Sequence, residues 1–325
     1  MLFRRWRSCL LLVLLMLSPP LLLLTQFNSA TELVKLRNAM VFNVISEQEA
    51  SWTPDNMPAD FRAEQAPVPA WLQGIDVNGE KDLAFMLAQT AVLQPQHRRK
   101  GNAIQAGVEH TINTIAQQHS GYCADYTKVI NVLAYAAGVP VREWAISFDG
   151  FGGHGHAFNE VWDQTLQQWI MLDVFNGFYA IDRTTAQPLS VLAFRHYLQH
   201  QPQQIELVQL AGSAFGFKHE QAAIDYYRRG ANQFALWWAN NELSYEQHPA
   251  LRATAHISTH LEQVLAIMLG EFPQLKAISQ PDNQQLIAQM LNLKRTLQLL
   301  IFTELLLFLL LLICCYRALR TRTGS

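Results

Sequence analysis

The feature that most constrains this chain is an apolar run close to its C-terminus. Residues 299–315 are almost wholly apolar, and with the three residues before them they reach about the 20 residues that an α-helix needs to cross a bilayer. Three arginines follow directly, at Arg317, Arg320 and Arg322. Because cytoplasmic flanks carry the excess of Lys and Arg, the pattern predicts a transmembrane helix at 299–316 and a cytoplasmic basic tail at 317–325.

A second apolar segment lies at the N-terminus. Three arginines precede an apolar run over residues 10–24, which a proline pair interrupts. This is the pattern of a secretory signal or a signal anchor. No good small-x-small cleavage site follows, so we expect residues 1–30 to be a retained anchor, with a cleaved signal peptide as the alternative. The region between the two apolar segments is then expected outside the cytoplasm, on the outer side of the inner (plasma) membrane and in the periplasm of a Gram-negative cell.

Composition narrows the partners. The chain has 325 residues and a formal net charge of -2, which gives no basic patch for nucleic acid, so none is expected as a partner. Of its four cysteines, three lie at the edges of the apolar segments and only Cys123 lies in the region between them. An unpaired thiol in an oxidising compartment indicates a use, although simple burial of a small side chain is the alternative.

Cys123 lies at the predicted start of a helix. Apolar residues recur after it at three- and four-residue steps, Ser120 and Gly121 offer an N-terminal cap, and Gly138 ends the pattern. A thiol at a helix N-terminus faces unpaired backbone N–H groups and the positive end of the helix dipole. Both favour the thiolate, which is the nucleophilic form.

Three strand-like segments follow the cysteine helix, separated by turn residues. They are residues 141–148, 156–162 and 169–174. A helix packed on an antiparallel meander predicts an α+β fold. His156 opens the second segment and Asp173 lies near the end of the third, so the two side chains can meet across neighbouring strands about 5 Å apart.

A helix-borne thiolate, a histidine and a carboxylate are the parts of a cysteine-nucleophile triad. The histidine takes the thiol proton and later protonates the leaving group, while the carboxylate orients the imidazole. A transition-metal site is the rival interpretation, because His154 and His156 face the same way on a strand and could bind a metal with Cys123 or Asp173.

The four motifs in this region resemble the core of the transglutaminase-like superfamily, which has a papain-like Cys-His-Asp arrangement. They occur in the family's order, over roughly residues 80–200, at 121–126, 138–142, 156–162 and 169–173. The resemblance implies a papain-like or transglutaminase-like core in which Cys123 is the nucleophile, His156 the general base and acid, and Asp173 the orienting carboxylate.

The resemblance also implies a reaction. The enzyme would act on an amide bond of a protein or peptide through a thioester, as a protease, an amidase or an acyltransferase, with no cofactor and no metal. The family uses a residue upstream of the cysteine to bind the oxyanion; by position Gln117 and Gln118 are the candidates, together with the backbone N–H of Cys123. A non-catalytic scaffold or binding module in a cell-envelope assembly, one that handles polysaccharide among others, is the alternative.

The remaining segments are predicted from periodicity and breakers. Residues 31–80 are expected to be a connector, which begins with a helix or anchor stem near 31–48 and continues as an extended, proline-rich part. Residues 81–202 are expected to form the catalytic domain. Residues 203–281 are expected to be helical and of unknown role, including one aromatic helix over 219–240. Residues 282–298 are expected to form a stalk helix continuous with the transmembrane helix.

Individual side chains outside the triad carry further expectations. Trp162 and Trp169 should lie in the core, because they fall inside strands. Arg142 should pair with a nearby acid, Asp125 being the first choice. Glu304, inside the predicted span, should face a partner in the bilayer, because an unpaired carboxylate in lipid is costly.

Overall fold

A computed structural model describes residues 10–19, 21, 25, 29–93, 102–104 and 106–320. Residues 318–320 are described through their backbone only. Most of the predicted N-terminal anchor and of the basic tail therefore lies outside the described residues. Within the anchor, Leu10–Pro19 is a short apolar helix.

Helices and strands alternate irregularly along the chain. The helices are α1 (Ala30–Val41), α2 (Glu47–Ala50), α3 (Leu83–Thr90), α4 (Val108–Gln118), α5 (Cys123–Ala137), α6 (Val191–His200), α7 (Glu220–Arg228), α8 (Glu242–Gln247), α9 (Pro249–Ala255), α10 (Thr259–Leu269) and α11 (Gln284–Arg320). The strands are β1 (Phe42–Ile45), β2 (Val141–Ser147), β3 (Gly155–Asp163), β4 (Gln168–Asp173), β5 (Phe178–Asp182), β6 (Ile205–Gln209), β7 (Phe234–Trp237) and β8 (Leu275–Ile278). Short 3₁₀ turns occupy Pro54–Asn56, Ala70–Leu72, Ala91–Leu93, Pro202–Gln204 and Pro281–Asn283.

The eight strands form one sheet in the order β1-β8-β7-β2-β3-β4-β5-β6. All neighbours are antiparallel except β1 and β8, which run parallel. Side chains alternate between the faces, so Val161 and Ile170 pack against α3, α4 and α5, whereas Phe158 and Met171 pack against α6 and α7. The sheet is thus buried on both faces, and the α+β core expected from the sequence is present.

The helical character expected for residues 203–281 is wrong in part, because β6, β7 and β8 lie there and join the sheet. The predicted helix over 219–240 stops at Arg228. Gly230 explains the break: a Cβ there would lie 2.5 Å from Ile146 Cγ1 and 2.6 Å from the Ser147 carbonyl oxygen. The chain passes this close to the end of β2 and then pairs with it as β7.

The segment expected to be an extended connector also carries regular structure. Its first part folds as α1, β1 and α2, and β1 forms one edge of the sheet beside β8. Capping boxes start both helices: Ser29 precedes α1 and pairs with Glu32 in its first turn, and Ser46 precedes α2 and pairs with Glu49. The proline-rich part that follows has only two 3₁₀ turns and an isolated bridge between Arg62 and Ala239.

Helix α11 is continuous, as expected, and its two halves differ. In the first half Ile287, Met290 and Leu297 are buried against α1 and the β1–β8 edge, and Lys294 Nζ donates to the Phe42 carbonyl oxygen at 2.7 Å. The predicted stalk is therefore packed against the core. Beyond it the helix is exposed; within the described part of the chain it is the one helix long and apolar enough to cross a membrane, judged by length and composition alone. Among the described residues near the N-terminus, no second helix is long enough to cross a membrane.

A buried ion pair ties β2 and β3 to α6. Glu160 is fully buried and accepts at 2.7 Å from Arg142 Nε and from Trp144 Nε1, while its other oxygen accepts from the Val191 N–H at 2.7 Å. The guanidinium of Arg142 also stacks 4.2 Å from the centre of the Trp169 ring. The expected pairing of Arg142 with Asp125 is thus wrong, because Arg142 points to the α6 face of the sheet. Trp162 and Trp169 are buried, as expected.

Replacing Arg142 tests this ion pair. Arg142→Met leaves the Glu160 carboxylate buried without its cation, so we expect a loss of about 3–5 kcal/mol in the free energy of unfolding. Arg183→Met is the control, because Arg183 pairs with Glu220 at the surface and should cost less than about 1 kcal/mol. Denaturant unfolding followed by circular dichroism measures both. Equal losses in the two variants would contradict the role given to the pair.

Candidate active site

Cys123 is the first residue of α5, with Tyr122 at the N-cap. The predicted cap at Ser120 and Gly121 is displaced by one residue, and Gly121 supplies the turn before it with a φ of 125°. Asp125 fixes this end of the helix, because its Oδ2 accepts from the Tyr122 N–H at 2.8 Å and from the Ile104 N–H at 3.1 Å. The thiol therefore sits on a fixed backbone at the positive end of α5, and Cys123 as a whole residue is half-buried.

His156 and Asp173 meet as the order of the strands predicted. His156 is near the start of β3 and Asp173 ends β4, and His156 Nε2 lies 2.6 Å from Asp173 Oδ2. The two residues are 5% and 1% exposed, so this contact is shielded from water. With Nε2 engaged by the carboxylate, Nδ1 is the ring nitrogen available to the thiol of Cys123.

Two residues that the sequence did not single out complete the surroundings of Asp173. Asn176 donates its side-chain amide to Asp173 Oδ2 at 2.8 Å and its backbone N–H to Oδ1 at 2.9 Å. The Tyr227 hydroxyl donates to Oδ2 from α7. The sequence signal for Asn176 is weak: an aspartate at a turn often accepts from backbone N–H groups that follow it, which points to the segment after Asp173 but not to the asparagine side chain. Tyr227 carries no sequence signal, because only the packing of α7 on the sheet brings it there.

The electrostatics of the three residues favour an ion pair. Burial raises the pKa of the Cys123 thiol, but the positive charge of His156 and hydrogen bonds with His156 and the Ala157 backbone outweigh it, so the pKa is lowered. Burial lowers the pKa of His156, but the negative charges of Asp173 and of the Cys123 thiolate outweigh this effect, so the pKa is raised overall. For Asp173, burial raises the pKa while His156, Tyr227 and Asn176 hold it below its usual range.

These directions match a nucleophilic thiolate beside an imidazolium. The thiolate is the attacking species, and the protonated imidazole can give its proton to a leaving group. The carboxylate, held by three donors besides the histidine, fixes the ring and favours its charged form. The arrangement therefore contains the parts needed for acyl transfer through sulfur.

Other predicted site residues fare differently. Gln117 and Gln118 are exposed at the end of α4, and the oxyanion contact assigned to them stays a prediction. The ring of His154 packs against Phe148 with the centroids 5.5 Å apart. Among the described residues no three His, Cys, Asp or Glu side chains are grouped as metal ligands, so the rival metal site finds no support in the geometry.

The pH dependence of thiol reactivity tests the ion pair. His156→Gln removes the main group that lowers the pKa of Cys123 and leaves the burial that raises it. We therefore expect the pKa to rise and alkylation by iodoacetamide at pH 7 to slow roughly tenfold or more. His154→Gln, an exposed histidine two residues away, is the control and should keep the parent profile. Unchanged rates in His156→Gln, measured on the Cys123 peptide by mass spectrometry, would rule the pair out.

Comparison with known families agrees with the geometry. Searches of curated proteins and of solved structures gave no match. Residues 71–174 match the family model described as the transglutaminase-like superfamily. The match covers about a third of the chain and includes Cys123, His156 and Asp173, whereas Asn176 and Tyr227 lie beyond it. Residues 71–174 of this chain are a transglutaminase-like domain.

Proposed function

We propose that this protein is a membrane-anchored cysteine enzyme that acts on amide bonds outside the cytoplasm. The observation that carries the proposal is the buried 2.6 Å contact between His156 Nε2 and Asp173 Oδ2, next to a cysteine at the first residue of a helix. A domain of this superfamily would suit a cysteine-based reaction on amides, and a carboxylate that orients the histidine and accepts from three further donors supports the same assignment.

In the proposed reaction the Cys123 thiolate attacks the carbonyl carbon of the amide. A tetrahedral oxyanion forms, and backbone N–H groups at the start of α5 are suited to stabilise it. The C–N bond then breaks, and the His156 imidazolium gives its proton to the departing amine. The acyl group remains on sulfur as a thioester, and the imidazole is left neutral.

The second half of the reaction restores the enzyme. A water molecule or an amine loses a proton to His156 and attacks the thioester carbon, the C–S bond breaks, and the Cys123 thiolate leaves with the imidazolium beside it again. Water gives hydrolysis, as in a protease or amidase, and an amine gives cross-linking. We favour hydrolysis of a protein or peptide, since membership of a superfamily does not by itself establish transfer to an amine.

The membrane assignment rests on α11 and the arginines after it. A helix with this apolar composition is suited to span a bilayer at 299–316, with the tail in the cytoplasm. Glu304 lies inside that stretch, and its Oε1 has no hydrogen-bond partner within the described residues. A carboxyl group in lipid is costly, so we assign Glu304 to a contact with a partner in the bilayer.

The direction of α11 supports a site that lies away from the proposed membrane. The helix starts with Leu286 against Gly150 and passes Phe42 at Lys294 before leaving the core. Through β8 and β7, Phe42 is level with Glu143 of β2, whereas His156 lies opposite Ile146, three residues further along that strand. The substrate would then approach from the aqueous side, which fits a soluble or cell-wall-linked amide better than one in the lipid.

A non-catalytic scaffold in a cell-envelope assembly is the second candidate. Residues 203–325 lie outside the family match. This extra region and the bilayer contact assigned to Glu304 would both suit a role in an assembly. A scaffold needs neither a low pKa for Cys123 nor an amide substrate. Thiol reactivity therefore separates the two candidates.

Replacing the nucleophile tests the enzyme. Cys123→Ala should abolish labelling of the extracytoplasmic region by a thiol-directed electrophile and any amide turnover, because the attacking atom is gone. Circular dichroism should show the fold retained, since Cys123 is partly exposed. Asn176→Ala, which keeps the nucleophile but removes a donor to Asp173, should retain labelling at a reduced rate. Amide turnover at the parent rate in Cys123→Ala would contradict the proposal.

The topology has its own test. Green fluorescent protein fused after Ser325 should fluoresce in a bacterial host, and alkaline phosphatase fused at the same place should be inactive, because both would lie in the cytoplasm. A phosphatase inserted into the full chain between Glu271 and Phe272, before the final helix, should be active. An active phosphatase at the C-terminus would overturn the assigned orientation.

A further inference from the structure

Two aromatic rings border the candidate site on the side of α7. The ring centroids of Phe148 and Tyr226 are 4.9 Å apart, and the Tyr226 ring lies 6.1 Å from the imidazole of His156. The pKa of Tyr226 is raised by burial and by the charges of Cys123 and Asp173, in keeping with its place beside the reacting sulfur. The Phe148–Tyr226 pair thus borders the catalytic ring on this side, together with Tyr227, whose ring lies 5.8 Å from it.

Arg229 caps this pair. Its guanidinium carbon lies 4.9 Å from the centre of the Phe148 ring and 5.3 Å from that of Tyr226. A guanidinium held beside aromatic rings still has N–H groups that can donate to an anion. Arg229 is exposed, and its guanidinium lies beside two rings. Within the described part of the chain it forms no ion pair.

The acids on the adjoining elements have other partners. Asp149, in the loop after Phe148, accepts from the Ser147 hydroxyl at 2.8 Å and from the Gly152 N–H at 3.0 Å. Asp225, one turn before Arg229 on α7, accepts from the Gln221 side chain at 2.9 Å. Neither carboxylate forms an ion pair with the Arg229 guanidinium in the described part of the chain.

We infer that Arg229 binds a carboxylate of the substrate, so that the preferred amides carry an anionic group near the bond that is cut. An edge of a fixed guanidinium matches a carboxylate through two parallel hydrogen bonds. The guanidinium carbon of Arg229 is 5.3 Å from the centre of the Tyr226 ring, which is itself 6.1 Å from the centre of the His156 ring. A peptide advances about 3.3–3.6 Å per residue. The carboxylate would therefore lie within about three residues of the scissile amide. This inference rests on the proposed function.

A pair of reagents that differ in charge tests it without a known substrate. Iodoacetate and iodoacetamide alkylate the same thiolate, and only iodoacetate carries a carboxylate. In the full chain, Arg229→Gln should lower the iodoacetate-to-iodoacetamide rate ratio at Cys123 roughly twofold to fivefold, as the loss of one exposed charge nearby does. The iodoacetamide rate itself should hold, and Arg229→Lys should restore part of the ratio. High salt should shrink the difference.

Arg228→Gln is the matched control. Arg228 is the preceding residue, is equally exposed, and stacks on neither ring within the described part of the chain. Its loss should leave the ratio at the parent value. An unchanged ratio in Arg229→Gln, or an equal fall in Arg228→Gln, would overturn the assignment while leaving the nucleophile in place. Slow alkylation of the parent Cys123 by both reagents would instead contradict the proposed enzyme and remove this inference with it.

Discussion

The site depends on one buried carboxylate. Asp173 is 1% exposed, and a charge there is tolerated only because its oxygens accept from His156, Tyr227 and both donors of Asn176. Those donors hold the pKa of Asp173 below its usual range, and its negative charge in turn raises the pKa of His156. The imidazolium then lowers the pKa of Cys123. The pKa of the Cys123 thiol is thus set in part by Asp173, which acts on it through His156.

Part of the support for Asp173 comes from residues outside the family match. Residues 71–174 contain Cys123, His156 and Asp173, but Tyr227 comes from α7, which lies well beyond. The same C-terminal part supplies β7 and β8, which join β2 to the edge strand β1 from the other end of the chain. Helix α11 then packs on that edge before it leaves the core. The candidate site, the sheet and the proposed anchor form one continuous body.

Local pattern was enough to predict the centre of the molecule. The helix after Cys123 and the strands β2, β3 and β4 follow from periodicity and turn residues, and their order predicted that His156 and Asp173 would meet. The outer strands could not be predicted this way, because β7 is four residues long and exists only where Gly230 lets the chain approach β2. Arg142 was given the wrong acid for a related reason: strand register, which decides that it faces Glu160, has no local signature.

The central claim is that Cys123 and His156 form a thiolate–imidazolium pair at neutral pH. The ultraviolet absorbance of the thiolate, taken as the difference between the parent chain and Cys123→Ala over a pH titration, measures it directly. We expect a difference that persists well below the ordinary cysteine pKa of about 8.5 and disappears only in acid. A difference that appears only at or above that pH would show an ordinary thiol and contradict the account.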